Sequence, residues 1–260
     1  MLPARSQTLI SRIEDAGLNA SAPPQQRWVD GWLVRFCPGK ARRARCVNAV
    51  AQGRLSLREK LALCQQVFDE AQLPLIFRIT PLSQPTNLDS WLANHGLHKS
   101  AEACVMVNHD LTTLTPEPLP AAVTLQRVGH AAFAQVVGQL RGSPLAQQQA
   151  HAQRLELSPV PFEGWVLRRQ GDSAVLACGQ IATEADMVGL YDVFTAVEAR
   201  NGGWARRLCG QLLDGARQRS ARVGYLQVDA DNLPARSVYR RLGFDDAYAY
   251  HYRQTAQQGE

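Results

Sequence analysis

The stretch Leu190 to Ala205, LYDVFTAVEARNGGWA, constrains the fold more than any other part of this 260-residue chain. A near-alternating run (Val188, Leu190, Val193, Thr195, Val197), as a half-buried strand requires, feeds into Arg200-Asn201-Gly202-Gly203-Trp204-Ala205 and then into a helical pattern. A strand that turns sharply into a helix start presents unpaired backbone N–H groups to an anion. Gly202 and Gly203 let a ligand approach that backbone and permit dihedrals that other residues resist. The stretch reads as a phosphate cradle. Loops with two glycines are common, so the downstream sequence has to decide between a cradle and a plain tight turn.

That downstream sequence continues with a helix from Gly203 to about Ser220 that buries Leu208, Leu212 and Leu213. It is followed by a strand (Gly224 to Val228), a helix from about Pro234 to Leu242 ended by Gly243, and a last strand, Ala247 to Arg253. Upstream, three strands (Gly164 to Arg169, Ala174 to Ala182, Val188 to Val197) form an antiparallel meander. Before them come a strand near 123–127 and two helices, roughly 129–140 and 145–157.

The first half predicts a helix over 4–16 stopped at Gly17, and strands Trp28 to Phe36 and Arg45 to Val50 separated by a Pro38-Gly39 turn. A helix over about 57–72, a buried strand Leu75 to Ile79, a short helix Leu88 to Asn94 closed by Gly96, and a strand Glu102 to His109 follow. The order strand, helix, strand, short helix, Gly, strand therefore occurs at 45–109 and again at 188–253, which reads as a diverged internal duplication. Pro116, Pro118 and Pro120 interrupt helix and sheet alike and mark a boundary between two domains, 1–112 and 123–260, with 113–122 as linker.

Composition sets the outer limits. With 45% hydrophobic and 20% charged residues the chain is that of a soluble globular protein, and no apolar run is long enough to span a bilayer. The net charge of +5 comes almost wholly from arginine, with no basic run longer than a pair, a balance that suits a small anionic ligand as readily as nucleic acid and gives no strong sign of the latter. Six scattered cysteines form no CxxC pair and no His cluster, so no metal site is expected, and a reducing cytoplasm is the default.

Two motifs identify the second half. Arg200-x-x-Gly203-x-Ala205 resembles the Gln/Arg-x-x-Gly-x-Gly/Ala phosphate signature of the GNAT superfamily, the acyl-CoA-dependent N-acyltransferases. Asn232-x-x-Ala235-x-x-x-Tyr239-x-x-Leu242-Gly243-Phe244 is similar to that superfamily's second signature. Both occur at the right separation, and the resemblance covers about 123–253. The first half resembles the degenerate copy of bacterial tandem GNAT proteins in its topology; there Leu92 aligns with Tyr239 and no cradle follows a strand.

The resemblance implies an α/β (α+β) fold of two GNAT-like domains, each a mostly antiparallel mixed sheet flanked by helices. It implies acetyl-CoA as co-substrate, a small-molecule amine as acceptor, and a monomer or homodimer with no nucleic-acid or membrane partner. The coenzyme would be held by Arg200, Asn201, Gly202, Gly203, Trp204, Ala205, Arg206 and Asn232, with a backbone N–H near Phe194 or Thr195 as oxyanion donor. Tyr239 takes the place of the general acid beside the sulfur, and Asp192 is the first candidate base, with Glu184 or a water as substitutes.

Each assignment has a plainer alternative. Asn232 also suits an N-cap, Tyr239 a core aromatic, Asp192 a solvent-facing acid, and Cys178 and Cys209 core thiols rather than nucleophiles. Arg141 stands where the family shapes its acceptor pocket. A non-catalytic acyl-CoA sensor or scaffold is the competing class, and an intact Tyr239 favours the enzyme.

Overall fold

The computed structural model describes residues 4–37, 41–172 and 174–255. The predicted Pro38-Gly39 turn lies outside the described residues. Seven helices, α1 Ala4–Ala20, α2 Leu57–Glu70, α3 Leu88–Asn94, α4 His130–Leu140, α5 Leu145–Glu156, α6 Trp204–Gln218 and α7 Leu233–Arg240, are described. With them are eleven strands: β1 Gln26–Val29, β2 Trp32–Arg35, β3 Val47–Asn48, β4 Ile76–Ile79, β5 His98–Asn108, β6 Val123–Val128, β7 Phe162–Arg169, β8 Val175–Glu184, β9 Met187–Thr195, β10 Val223–Asp229 and β11 Asp245–Gln254.

All eleven strands join one sheet in the order β1-β2-β3-β4-β11-β5-β10-β9-β8-β7-β6. Pairing is antiparallel except for β3 with β4 and β9 with β10. Those two parallel pairs carry the crossover helices α2 and α6, so the repeat read from the sequence is a repeat of topology. The halves interlock: β11 of the second half lies between β4 and β5, and β5 of the first half lies between β10 and β11. A pattern of apolar residues reports that a strand exists but not which strand it pairs with, so this exchange was invisible in the sequence.

One face of the sheet carries α1, α4 and α5, and the other carries α2, α3, α6 and α7. On the first face Ile10 and Ile13 pack with Val105, Val107, Tyr225 and Tyr248, and Phe133 and Val137 with Val166 and Cys178. On the second, Leu208, Leu212 and Leu213 of α6 pack with Leu190, Leu226 and Tyr239, and Val67 and Phe68 of α2 with Trp32 and Phe77.

Two elements differ from expectation. The helix predicted to stop at Gly17 runs on to Ala20, because Gly17 serves close packing and not termination: a Cβ there would stand 2.9 Å from the Gln227 amide nitrogen on β10. The single strand expected over 28–36 is a hairpin turning at Asp30-Gly31, both with positive φ, a pairing that suits a two-residue turn.

A buried ion pair ties α1 to the sheet. Arg78 Nη2 donates to Glu14 Oε1 at 2.8 Å, Tyr248 donates its hydroxyl hydrogen to the same carboxylate, and the Arg78 guanidinium stacks 3.9 Å from the Tyr250 ring centroid. Burial alone would raise the Glu14 carboxyl, but Arg78, the Tyr248 hydroxyl and Arg43 outweigh it and hold it below its ordinary value. Glu14→Ala leaves Arg78 buried without a counter-ion and is expected to cost about 3 kcal/mol, read as a lower urea midpoint at pH 7. A carboxyl depressed on folding contributes stability above its unfolded pKa and loses it as pH falls through the folded value. The gap between wild type and variant should therefore narrow below about pH 4.

Candidate active site

Strands β9 and β10 run parallel and paired only from Met187 with Val223 to Leu190 with Leu226. Beyond that point β9 continues to Thr195 and β10 to Asp229 without pairing to each other, which opens a wedge in the middle of the sheet. The divergence begins at a bulge: the β8–β9 register shifts between Cys178 and Gln180, and Asp192 sits at φ 47°. Such a conformation is costly for a residue with a Cβ and persists where the surroundings over-determine it.

Those surroundings are specific. Asp192 accepts from Arg141 Nη1 at 3.0 Å and from Gln180 Nε2 at 2.7 Å, and its Oδ2 lies 3.2 Å from His151 Nε2. Burial would raise the carboxyl, but the His151 contact and the charges of Arg141, His151 and Arg154 hold it far below the usual carboxylate range. The four residues come from the end of α4, from α5, from β8 and from β9. Glu184, the alternative base, accepts from the Asn19 side chain of α1 at 3.0 Å.

The wedge also exposes backbone. Ala196 N–H donates to Leu176 O at 3.0 Å, so the alternation of an antiparallel ladder turns the Phe194 amide toward β8 and the Thr195 amide into the wedge. Of the two expected oxyanion donors, Thr195 has the right direction.

At the end of β9 the chain passes Arg200 and Asn201 and reaches α6 through Gly203, at φ 74° in the left-handed region. No side chain caps this helix start, and the first amide bonded back is that of Arg207, to Gly203 O at 3.1 Å. The amides of Gly203, Trp204, Ala205 and Arg206 thus have no backbone acceptor among the described residues. The Trp204 indole lies against Gly202, where a Cβ would stand 2.5 Å from Nε1. The Arg200 guanidinium lies 6.0 Å from the Phe194 ring centroid at the same mouth. The Arg206 side chain turns to the linker instead, paired with Glu117, which Arg207 also approaches at 3.5 Å. The linker is docked along α6, with Gln211 Nε2 donating to Glu117 O at 2.8 Å.

Tyr239 lies on the α6 side of the wedge, 9% exposed, its ring 6.2 Å from that of Phe244. Burial pushes its phenol up, so it stays protonated. Asn232 caps α7, its Oδ1 accepting from Ala235 N–H at 3.2 Å. Cys178 and Cys209 are fully buried, and burial pushes both thiols up to about 12.

On the opposite side of the sheet a cavity of about 340 Å³ borders the end of β10 that has parted from β9, with Gln227, Val228 and Asp229 in its wall beside Tyr250 and Tyr252 of β11. Its roof comes from the first half: Arg43 Nη1 donates to Gln227 Oε1 at 2.8 Å, and its guanidinium lies 6.0 Å from the Tyr191 ring centroid. The sequence reading missed Gln180, His151 and Arg43 because no motif connects elements so far apart in the chain.

The first half has the corresponding strand-to-helix loop, but its amides are already used. Asp30 accepts from Arg54 N–H at 2.8 Å and from Leu55 N–H at 2.8 Å, Ser56 and Glu59 form a capping box, and Lys60 lies 3.3 Å from the Asp30 carboxylate. An internal carboxylate stands where a ligand anion would bind.

A parallel pair parted by a bulge, beside an uncapped helix start behind a left-handed glycine, belongs here to a fold shared with GNAT acetyltransferases. The chain belongs to the family described as "Probable histone acetyltransferase Rv0428c C-terminal", whose pattern matches residues 8–253. It is 24% identical over 233 residues to the uncharacterized N-acetyltransferase YobR of Bacillus subtilis (strain 168), covering 88% of this chain and 91% of that one. Its fold is similar to that of a GCN5-related N-acetyltransferase from Kribbella flavida (TM-score 0.68, 16% identity, 95% and 96% of the two chains). It is also similar to a tandem GNAT protein from the clavulanic acid biosynthesis pathway (TM-score 0.64, 16% identity, 78% and 70%). Among the described residues no group of His, Cys, Asp or Glu forms a metal site, and no helix is long and apolar enough to cross a membrane.

Proposed function

We propose that the chain transfers an acetyl group from acetyl-CoA to the primary amine of a small molecule by direct attack. The observation that carries this reading is the β9–β10 wedge with the Thr195 amide turned into it and the free amides of α6 at its mouth. Acetyl-CoA supplies an activated acyl group as a thioester. The amides of Gly203 to Arg206, at the positive end of the α6 dipole, and the Arg200 guanidinium would hold its pyrophosphate. The unpaired edge of β9 offers hydrogen-bonding groups to the pantetheine amides, in the manner of strand addition. The Thr195 amide would donate to the carbonyl oxygen as charge builds there.

The amine attacks from the cavity side; the nitrogen–carbon bond forms, the carbon–sulfur bond breaks, and Tyr239 hydrogen-bonds the departing sulfur. The ammonium proton must leave first. A carboxylate held as low as that of Asp192 stores a proton poorly at neutral pH, so Asp192 acts as the anchor of its web and as an attractor for the ammonium. His151, 3.2 Å from Asp192, is the imidazole placed to take the proton. The raised thiols of Cys178 and Cys209 speak against an acyl-enzyme.

The self-filled loop before α2 supports a single coenzyme site in the second half. Calorimetry with acetyl-CoA should give one site per chain, and thiol release should follow on adding a competent primary amine. Binding without thiol release for any amine would favour a sensor, and absence of binding would end the assignment.

A further inference from the structure

Buried guanidinium groups are almost always matched by a carboxylate, because an unmatched charge away from water is expensive. The acceptor side of the wedge departs from that rule at three places. Arg43 is part-buried, and its only hydrogen bond among the described residues is to the neutral Gln227 amide. Arg154 of α5, also part-buried, makes neither a hydrogen bond nor an ion pair among the described residues, although it lies within electrostatic reach of Arg43, Arg141 and Asp192. Arg42, next to Arg43 on the cavity wall, has a buried Nη1 without a hydrogen-bond partner among the described residues, its guanidinium lying 5.5 Å from the Tyr252 ring centroid. No nearby acid hydrogen-bonds any of them among the described residues, although Glu14 lies within electrostatic reach of Arg43 and Asp192 of Arg154. Asp192 is taken by Arg141, Gln180 and His151, Glu14 by Arg78 and Tyr248, and Glu102 by Lys99 at 2.6 Å. That leaves Asp229, exposed at the end of β10, as the one uncommitted acid lining the cavity among the described residues.

We infer that the acceptor is a small primary amine that also carries an anionic group, carboxylate or phosphate, and that Arg43 and Arg154 bind this group while the amine faces Asp192 and the thioester. The inference rests on the acetyltransferase reading above and gives its acceptor a chemical class. It also explains why the first half is retained although its own cradle is filled: its loop supplies Arg43 to the site of the second half. A lysine-rich peptide or a polycationic aminoglycoside would meet like charge at these positions, which costs affinity and selects against such acceptors.

The test compares matched amines in thiol release at fixed acetyl-CoA: free amino acids against their amides, glucosamine 6-phosphate against glucosamine, with kanamycin and a lysine-rich peptide alongside. Each anionic member should exceed its neutral partner by about tenfold or more in kcat/KM, equivalent to about 1.4 kcal/mol. The amino-acid and sugar-phosphate arms separate a carboxylate from a phosphate ligand. Arg43→Gln and Arg154→Gln should each remove most of that ratio by raising KM for the anionic acceptor more than for the neutral one, with calorimetric acetyl-CoA affinity unchanged. Faster turnover of neutral or cationic acceptors, a ratio that survives both variants, or protein that binds acetyl-CoA yet acetylates no anionic amine would overturn the inference. Protein that binds no acetyl-CoA fails the acetyltransferase reading instead, and the acceptor class falls with it.

Discussion

Gly203→Val should abolish measurable acetyl-CoA binding, weakening it at least a hundredfold, or by about 2.7 kcal/mol, while the circular dichroism spectrum is retained. Gly203 sits at φ 74°, where a β-branched residue is strained by about 1–3 kcal/mol. Its new Cβ would also stand 3.0 Å from Arg207 Nη1, which donates to Gly202 O at 2.9 Å. The loop relieves this strain locally, because few core contacts depend on it, and the relief redirects the amides of Gly203 to Arg206. Gly53→Val is the internal control. Gly53 holds a similar φ of 71° before α2, but a Cβ there would run into Asp30 at 2.1 Å, and Asp30 organises that loop. The first-half variant should therefore lower the melting temperature and leave acetyl-CoA affinity per folded molecule intact. Equal affinity in Gly203→Val and wild type would remove the cradle from the mechanism.

The contrast between these glycines shows what was legible in the chain. The strand, turn and helix around Gly203 could be read because periodicity and turn chemistry are local, and because Asn232 to Phe244 supplied a second motif at a fixed distance. Elements of the first half were legible in the same way, including α2 between β3 and β4, although the parallel pairing of those strands was not. Gly17 was misread because a glycine near a helix end serves termination or close approach equally well, and only the presence of Gln227 opposite it decides.

The interlocked order of β4, β11, β5 and β10 escaped because it depends on which edges meet after collapse. Asp192 was singled out as an acid on the right strand, yet its low carboxyl follows from Arg141, His151 and Gln180, which lie 51, 41 and 12 positions away in the sequence. The same holds for Arg43, which reaches Gln227 from 184 positions away. The placing of a strand-to-helix loop is local and readable; the convergence of side chains from distant elements is not.

Tyr239→Phe separates binding from chemistry, and its expected result is a fall in kcat of about a hundredfold with acetyl-CoA affinity unchanged. The ring packs among Leu226, Val228 and Cys209 and edge-on to Phe244, and phenylalanine keeps all of those contacts, so stability should move little. What is lost is the hydroxyl that we propose hydrogen-bonds the departing sulfur. Because burial pushes the phenol above its ordinary value of about 10, the wild-type group stays protonated through that pH. Wild-type kcat should therefore show no decline from loss of this proton up to about pH 10, and the ratio of wild type to variant should be flat across that range. A phenol raised so far gives up its proton reluctantly, which favours a hydrogen bond to the departing thiolate over full transfer. If a full proton transfer is required instead, the kcat of wild type should show a solvent deuterium isotope effect that disappears in the variant. A variant with kcat within twofold of wild type would place the sulfur's donor elsewhere and leave Tyr239 as a core aromatic.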